Sequence, residues 1–337
     1  MVIKSAGTGS LAYSEIASEF GSPTNNNIGA YRVSQTVGGL SNLALDNSSN
    51  HVALIPQTGQ IRFSDFYGKR LNMVVDFHSG GTVYRQVGKT RYDANAVTVI
   101  GGFKNKPKNP SGSRVFIHVN KFIGSAKGGS TTCALRTGSF PGTLLNVDVG
   151  GSGRILGAGG DGGQGADNQG KNGGNGGNGT SGLGVSQTTT VKVFSGGIIS
   201  AGFGGGGGGG GAYDTDKFDD ELASGGGGGG GAGLPTGSGG PGGNSWEADG
   251  SPGANASTFS RGGGGNGGDQ GEAKGGKGGD GGQNGSGAKG GGSGSGEKAS
   301  GGGSGGGDGF WLCSGGNSVS LLNSGSVRGG STSAGGG

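Results

Sequence analysis

From Gly151 onward this chain is too rich in glycine to build a core out of side chains. Of its 97 glycines, 77 lie in residues 151–337 and 20 lie before them. Such a chain is either disordered or packed backbone against backbone. Composition by itself favours disorder, because glycine loses more backbone entropy on folding than any other residue. Three features of the order of residues argue for packing.

The first is a period of three. Gly170, Gly173, Gly176, Gly179 and Gly182 keep one register, as do Gly262, Gly265, Gly268 and Gly271, and then Gly276, Gly279, Gly282 and Gly285. A polyproline-II-type helix has three residues per turn and rises about 3.1 Å per residue, so this spacing lines one face with glycine. That backbone makes no internal hydrogen bonds and must find partners in neighbouring segments. The second feature is a recurring lead-in of alternating strand, turn, short apolar step and glycines. It occurs at Leu145–Gly160, at Val191–Gly204 and at Val319–Gly330. A linker has no reason to repeat that order. The third is punctuation by bulky clusters at Tyr213–Leu222, Trp246–Phe259 and Phe310–Leu312. Collagen is excluded, because the Gly-X-Y register slips, Gly204–Gly211 and Gly225–Gly231 are homopolymeric, and the chain holds only 8 prolines. The expected fold class is all-β plus polyglycine II: many short glycine helices folded back in one bundle, with strand lead-ins.

Three regions follow. Residues 1–70 read as an attachment module with an internal echo, Leu11-Ala12-Tyr13-Ser14-Glu15-Ile16 against Ile61-Arg62-Phe63-Ser64-Asp65-Phe66. A helix is expected over 15–20. Tyr13, Ile16, Phe63 and Phe66 are the candidate attachment residues. Residues 71–150 read as a small β domain, a sandwich or sheet, with strands at 71–77, 82–87, 96–100, 114–119 and 144–149, and with the chain's only conventional apolar core. Residues 151–337 are the glycine domain, whose interruptions leave it as loops. Exposed aromatics beside acids on a rigid support suit recognition. Tyr213, Asp216, Phe218, Trp246, Glu247 and Phe259 are therefore the candidate receptor-binding residues, with end-capping the competing role for Trp246 and Phe259. Trp311 is expected to pack locally.

Charge is uneven. Residues 1–150 hold 15 Lys/Arg against 7 Asp/Glu, and residues 151–337 hold 10 against 14. No basic run is long enough to mark a nucleic-acid tail, and Arg261-Gly262-Gly263 and Arg328-Gly329-Gly330 stand alone, so no nucleic-acid partner is expected. Cys133 and Cys313 lack metal-ligand spacing and read as free thiols of a protein assembled in a reducing cytoplasm. His51, His78 and His118 are dispersed, His118 as an ordinary residue on the polar face of a strand. With 97 glycines, a Gly-x-Gly-x-x-Gly match carries no information. No catalytic constellation is legible, so a non-enzymatic protein without cofactor or metal is expected. The N-terminus lacks a signal-peptide core, and no apolar run is long enough to span a bilayer.

The opening Ser5–Ile16 and the stretch Gly59–Lys69 resemble a module at the start of bacteriophage tail-associated proteins. Ile117–Lys121, Ile123–Ser125, Cys133–Gly138 and Gly153–Gly163 are similar to glycine-rich tail-fibre and receptor-binding proteins. The glycine domain is also similar to the distal tail-fibre adhesins of T-even-type phages, in which a sandwich of polyglycine-II helices carries receptor-binding loops. The resemblance implies a virion protein of the tail or tail fibre, made in the host cytoplasm. Its partners would be other tail, fibre or baseplate proteins and a host surface receptor, protein or glycan. Self-association stays open. The alternative is a structural tail or baseplate protein that never touches the host. The N-terminal module departs from the fibre-attachment domain of those adhesins, and no loop residue matches a motif, so no receptor contact carries over.

Overall fold

The computed structural model describes residues 3–20, 28–31, 59–69, 73–79, 81–86, 89–92, 113–167, 171–215 and 220–335. The strand expected at 96–100 lies outside these residues, as do His51, Asp216 and Phe218. The described chain is mostly β. Its first strands are β1 Met73–His78, β2 Gly81–Gln86, β3 Lys89–Tyr92, β4 Arg114–Val119, β5 Phe122–Gly124, β6 Cys133–Arg136, β7 Leu144–Val149 and β8 Arg154–Leu156. Then come β9 Ser181–Gly184, β10 Thr189–Val193, β11 Ile198–Ser200, β12 Ala212–Thr215, β13 Asp220–Ala223, β14 Asp269–Gln270 and β15 Ala273–Lys274. The last are β16 Lys298–Ala299, β17 Phe310–Cys313, β18 Val319–Asn323, β19 Ser326–Arg328 and β20 Gly330–Thr332.

The expected sandwich is instead a coil of parallel strands. Three sheets run side by side in the orders β4-β7-β10-β18, β5-β8-β11-β19 and β6-β9-β17-β20, with every pairing parallel. Four successive turns of the chain therefore each give one strand to each sheet. Like residues stack in columns: Ile117, Val147, Val191 and Leu321 in the first sheet, and Ile123, Ile155, Ile199 and Val327 in the second. Leu135, Leu183 and Leu312 form the third column. All of these side chains except Leu321 make one apolar core. Parallel strands must be covered on their inner face, and a coil closes that face on itself. The repeated lead-ins are the second, third and fourth turns of this coil. Its strands come from both sides of residue 150, so the apolar core is not confined to 71–150.

β1 adds to the first turn parallel to β4, followed by antiparallel β2 and β3. At the other end Asn323 and Ser331 terminate two columns with polar side chains, while Leu321 stays 37% exposed. The N-terminal echo is real. Glu15 accepts the Ala12 N–H at 2.8 Å at the start of α1 (Tyr13–Phe20), and Asp65 accepts the Arg62 N–H at 2.7 Å before the 3-10 turn Phe63–Phe66. Ile16 and Phe66 close a second small core with Ile3 and Tyr31, packed beside Phe116. They are therefore interior residues and cannot contact a partner directly. Tyr13 is partly exposed and Phe63 is 42% exposed.

His118 corrects another expectation, because it is buried in a covered sheet face. Asp76, His118, Asp148 and Lys192 are neighbours across β1, β4, β7 and β10. His118 Nε2 lies 3.4 Å from Asp148 Oδ2. Burial pushes the Asp148 carboxyl up to about 6, against the pull of the Lys192 ammonium.

The glycine segments leave the coil between its second and third sheets. Residues 157–167 run out from β8 and 171–180 return to β9. From β11, segments 202–211, 224–233, 236–243, 250–256, 261–268, 275–282, 287–294 and 300–309 run alternately out and back to β17. Their backbone N–H groups bond to carbonyls of adjacent segments at every third residue. Gly160, Gly163 and Ala166 donate to Phe203, Gly206 and Gly209, and Gly225, Gly228 and Gly231 donate to Ala166, Gly163 and Gly160. These bonds make two segments interior. Residues 202–211 pair with 157–167, 171–180, 224–233, 275–282, 287–294 and 300–309. Residues 224–233 pair with 157–167, 202–211, 236–243, 250–256, 261–268 and 275–282. The other eight ring them, so the array has rows of three, four and three.

This placement explains the two homopolymeric runs. A Cβ on Gly206, Gly207 or Gly208 would lie 2.0, 2.0 or 1.8 Å from a carbonyl oxygen of three different segments. From Gly204 to Gly210 and from Gly225 to Gly231 a Cβ would meet backbone at about 2 Å at every position, so these runs have no room for a side chain. The ring segments have an outer face, and several carry polar residues at intervals of three, such as Asp161 with Gln164, Asn172 with Asn175 and Asn178, and Lys277 with Asp280. Several of these finish the hydrogen bonding. The Oδ1 atoms of Asn172, Asn175 and Asn178 accept the N–H groups of Gly301, Ser304 and Gly307 at 2.8–3.0 Å. Replacing Asn175 with Ala is expected to cost about 1 kcal/mol, and Asp should retain most of it. Thermal denaturation checks this; equal melting of the Ala variant and wild type would remove the role.

Candidate functional site

Because segments alternate in direction, their turns gather at two ends. The near turns touch the coil: the Leu234 carbonyl accepts the Ser125 N–H at 3.0 Å, and Arg328 stacks 4.9 Å from the Phe259 ring centroid. Among the described residues the far turns comprise Asp167 with Lys171, 212–215 with 220–223, 244–249, 269–274 and 295–299, and they form one tip.

The far turns are tied to one another. β12 pairs with both β13 and β16, and β14 pairs with β15. Ala212, Ala223, Ala248 and Ala273 pack beneath them, small enough for strands to approach where the glycine array ends. Glu247 accepts the Leu222 N–H at 2.9 Å, and Glu221 accepts the Glu272 N–H at 2.6 Å and the Ala273 N–H at 3.2 Å. Asp214 accepts the Glu297 N–H at 3.0 Å, and the Thr215 hydroxyl donates to the Glu297 carboxylate. That hydroxyl bond holds the Glu297 carboxyl below its usual range. Lys298 Nζ lies 5.3 Å from the centroid of the Tyr213 ring, a cation–π contact. Desolvation, then the Asp220 carboxylate, raises the Tyr213 phenol.

The tip is acidic. Among the described residues its turns carry Asp167, Asp214, Asp220, Glu221, Glu247, Asp249, Asp269, Glu272 and Glu297 against Lys171, Lys274 and Lys298. Trp246 is 90% exposed, the largest exposure of any large hydrophobic residue described. The tip thus presents an exposed indole among surplus carboxylates on turns bonded to one another. No group of three or more metal-ligating side chains occurs among the described residues.

Tyr213, Trp246 and Glu247 are thus brought together at the tip. Phe259 is not with them, since it sits at the near end against Arg328. Asp216 and Phe218 lie outside the described residues. The shorter turns 269–274 and 295–299 were not singled out by sequence reasoning. Their signal was a break in the glycine period carrying charged residues, Asp269, Glu272 and Lys274 in one and Glu297 and Lys298 in the other. Trp311 packs against the coil's core as expected. Cys133 and Cys313 are free thiols.

No family model matches the chain, and no curated protein and no solved structure matches it at a significant level.

Proposed function

We propose that this protein is a non-enzymatic bacteriophage tail-fibre or tail-tip adhesin. In this reading the glycine segments are polyglycine-II helices forming a stiff sandwich, and the tip binds a receptor on the host surface. The observation that carries it is the convergence of five turns on one end, with Trp246 exposed among them. The array stiffens those turns by backbone hydrogen bonds, so binding costs little conformational entropy. Tyr213, Trp246 and Glu247 are the contact residues described at the tip. The N-terminal module, with Tyr13 and Phe63 at its surface, docks onto a tail or fibre protein.

A structural role within the tail is the second reading. It is favoured by the use of Asp214, Glu221 and Glu247 as acceptors that bind one turn to the next. An adsorption assay separates the two. Purified chain is expected to bind cells that the parent particle infects and to block its adsorption. Trp246→Ala should weaken that binding about tenfold or more. Absence of binding to every such host would leave the structural role.

A further inference from the structure

Two arginines share the outer face of the coil's second sheet. Phe122, Arg154, Ile198 and Ser326 stand side by side in one row across β5, β8, β11 and β19. Their neighbours Ile123, Ile155, Ile199 and Val327 pack into the core, so strand alternation turns this row outward. Arg328, two residues beyond Ser326, bends back to the row, its Nε donating to Ser326 Oγ at 3.4 Å. Two guanidinium groups thus flank Ile198. Each is stacked on an aromatic ring, Arg154 at 5.6 Å from the Phe122 centroid and Arg328 at 4.9 Å from that of Phe259. Phe259 is positioned by its own turn, in which the Ser257 N–H donates to the Ser260 carbonyl at 2.8 Å and the Ser260 N–H to Ser257 Oγ at 3.0 Å.

Stacking occupies the face of a guanidinium and leaves its N–H edge open. Arg154 uses one Nη on the Gly151 and Gly153 carbonyls, at 3.0 and 2.7 Å, and its Nε is buried without a partner. Its second Nη and both Nη atoms of Arg328 have no hydrogen-bond partner among the described residues, and neither arginine forms an ion pair there. The acids toward the near end of the array are engaged elsewhere, Asp161 by Lys127 and Asp280 by Arg261 and Lys289. The two charges repel. Burial, and then the Arg328 charge, weaken the hold of the Arg154 guanidinium on its proton. An oxyanion between them relieves that repulsion and takes the open N–H edges. Phe122 and Phe259, 55% and 39% exposed, leave apolar surface on both sides for the group that carries the anion.

We propose that this patch binds a phosphate monoester, with the phosphate between Arg154 and Arg328 and its organic group against the rim formed by Phe122 and Phe259. A phosphate monoester carries close to two negative charges at neutral pH and so matches two guanidinium groups, which a single carboxylate does not. The ester is either a free sugar phosphate or a phosphorylated sugar of a surface glycolipid. The site lies on the coil, at the opposite end of the array from the tip, and does not rest on the adhesin reading.

Calorimetric titration of the full chain tests it, with glucose 1-phosphate, glucuronate, glucose and inorganic phosphate as probes. Glucose 1-phosphate is expected to fill one saturable site, glucuronate and inorganic phosphate to bind severalfold more weakly, and glucose to give no signal. Arg328→Gln should weaken glucose 1-phosphate binding about tenfold or more. Arg328→Lys, which keeps the charge but not the fork, should recover part of that loss. Lys277→Gln removes an exposed cation from the array and should bind as wild type does. Circular dichroism verifies that all three variants fold. Flotation with phosphatidylcholine vesicles separates the two sources. Binding only when the vesicles carry monophosphoryl lipid A assigns the site to a surface glycolipid, and no vesicle binding assigns it to a free ester; both uphold the patch. No saturable binding of glucose 1-phosphate overturns the proposal. So does glucuronate or inorganic phosphate binding as tightly, or an affinity that Arg328→Gln leaves no weaker than Lys277→Gln does.

Discussion

Gly228→Ala should unfold the glycine array while leaving the sequence otherwise untouched. Gly228 lies in an interior segment, where its added Cβ would stand 2.0 Å from the Gly206 carbonyl oxygen and 2.6 Å from the carbonyl carbon. Both are backbone atoms, so no side-chain rotation relieves the clash. Moving residues 224–233 aside breaks hydrogen bonds to six neighbouring segments. The expected cost is about 4 kcal/mol or more, the range of exceptional point mutations. Gly263→Ala is the matched control. Its Cβ would meet only Asp280 Oδ1 at 3.9 Å. Reduced entropy of the unfolded chain should make that variant neutral or more stable by about 0.4–1 kcal/mol. Amide exchange and thermal melting read both. Equal behaviour of the two variants would show that the array is not held by close backbone packing.

The second large effect belongs to the coil. Ile199→Ala is expected to destabilise the protein by about 2–5 kcal/mol, because Ile199 is fully buried between Ile155 and Val327 and a cavity there cannot collapse. The position also matters for reach. Ile199 precedes Gly202, where the long excursion begins, and the Gly202 N–H is bonded to the Thr180 carbonyl at the root of the array. Loosening this strand should raise exchange at 202–211 as well as in β11. Denaturant melts measure the stability. Exchange confined to β11 would mean that the array holds its geometry without the coil beneath it.

Much of this architecture was legible as local pattern. The period of three marked the segments, whose backbone groups bond to neighbouring segments at every third residue. The homopolymeric runs marked positions with no room for a side chain. The repeats Val147-Asp148-Val149, Val191-Lys192-Val193 and Leu321-Leu322-Asn323 marked equivalent strands. The third strand of each turn was harder to see. Cys133–Arg136, Ser181–Gly184 and Phe310–Cys313 share only one leucine each and are separated by up to ten glycine segments. The repeat was therefore hidden by insertion, and a sandwich looked as consistent with the same short strands.

Residue order alone thus determined that glycine packs on glycine, which faces are crowded, and where bulky turns must leave the array. Those are consequences of side-chain size and of the three-residue sequence period, and both are local. Tertiary structure alone decided which turns share an end. That depends on each segment's direction, which is set by hydrogen bonds between residues far apart in sequence, such as Gly173 to Gly301. For that reason Trp246 and Tyr213 meet at the tip while Phe259, in sequence much nearer to Trp246, lies at the opposite end.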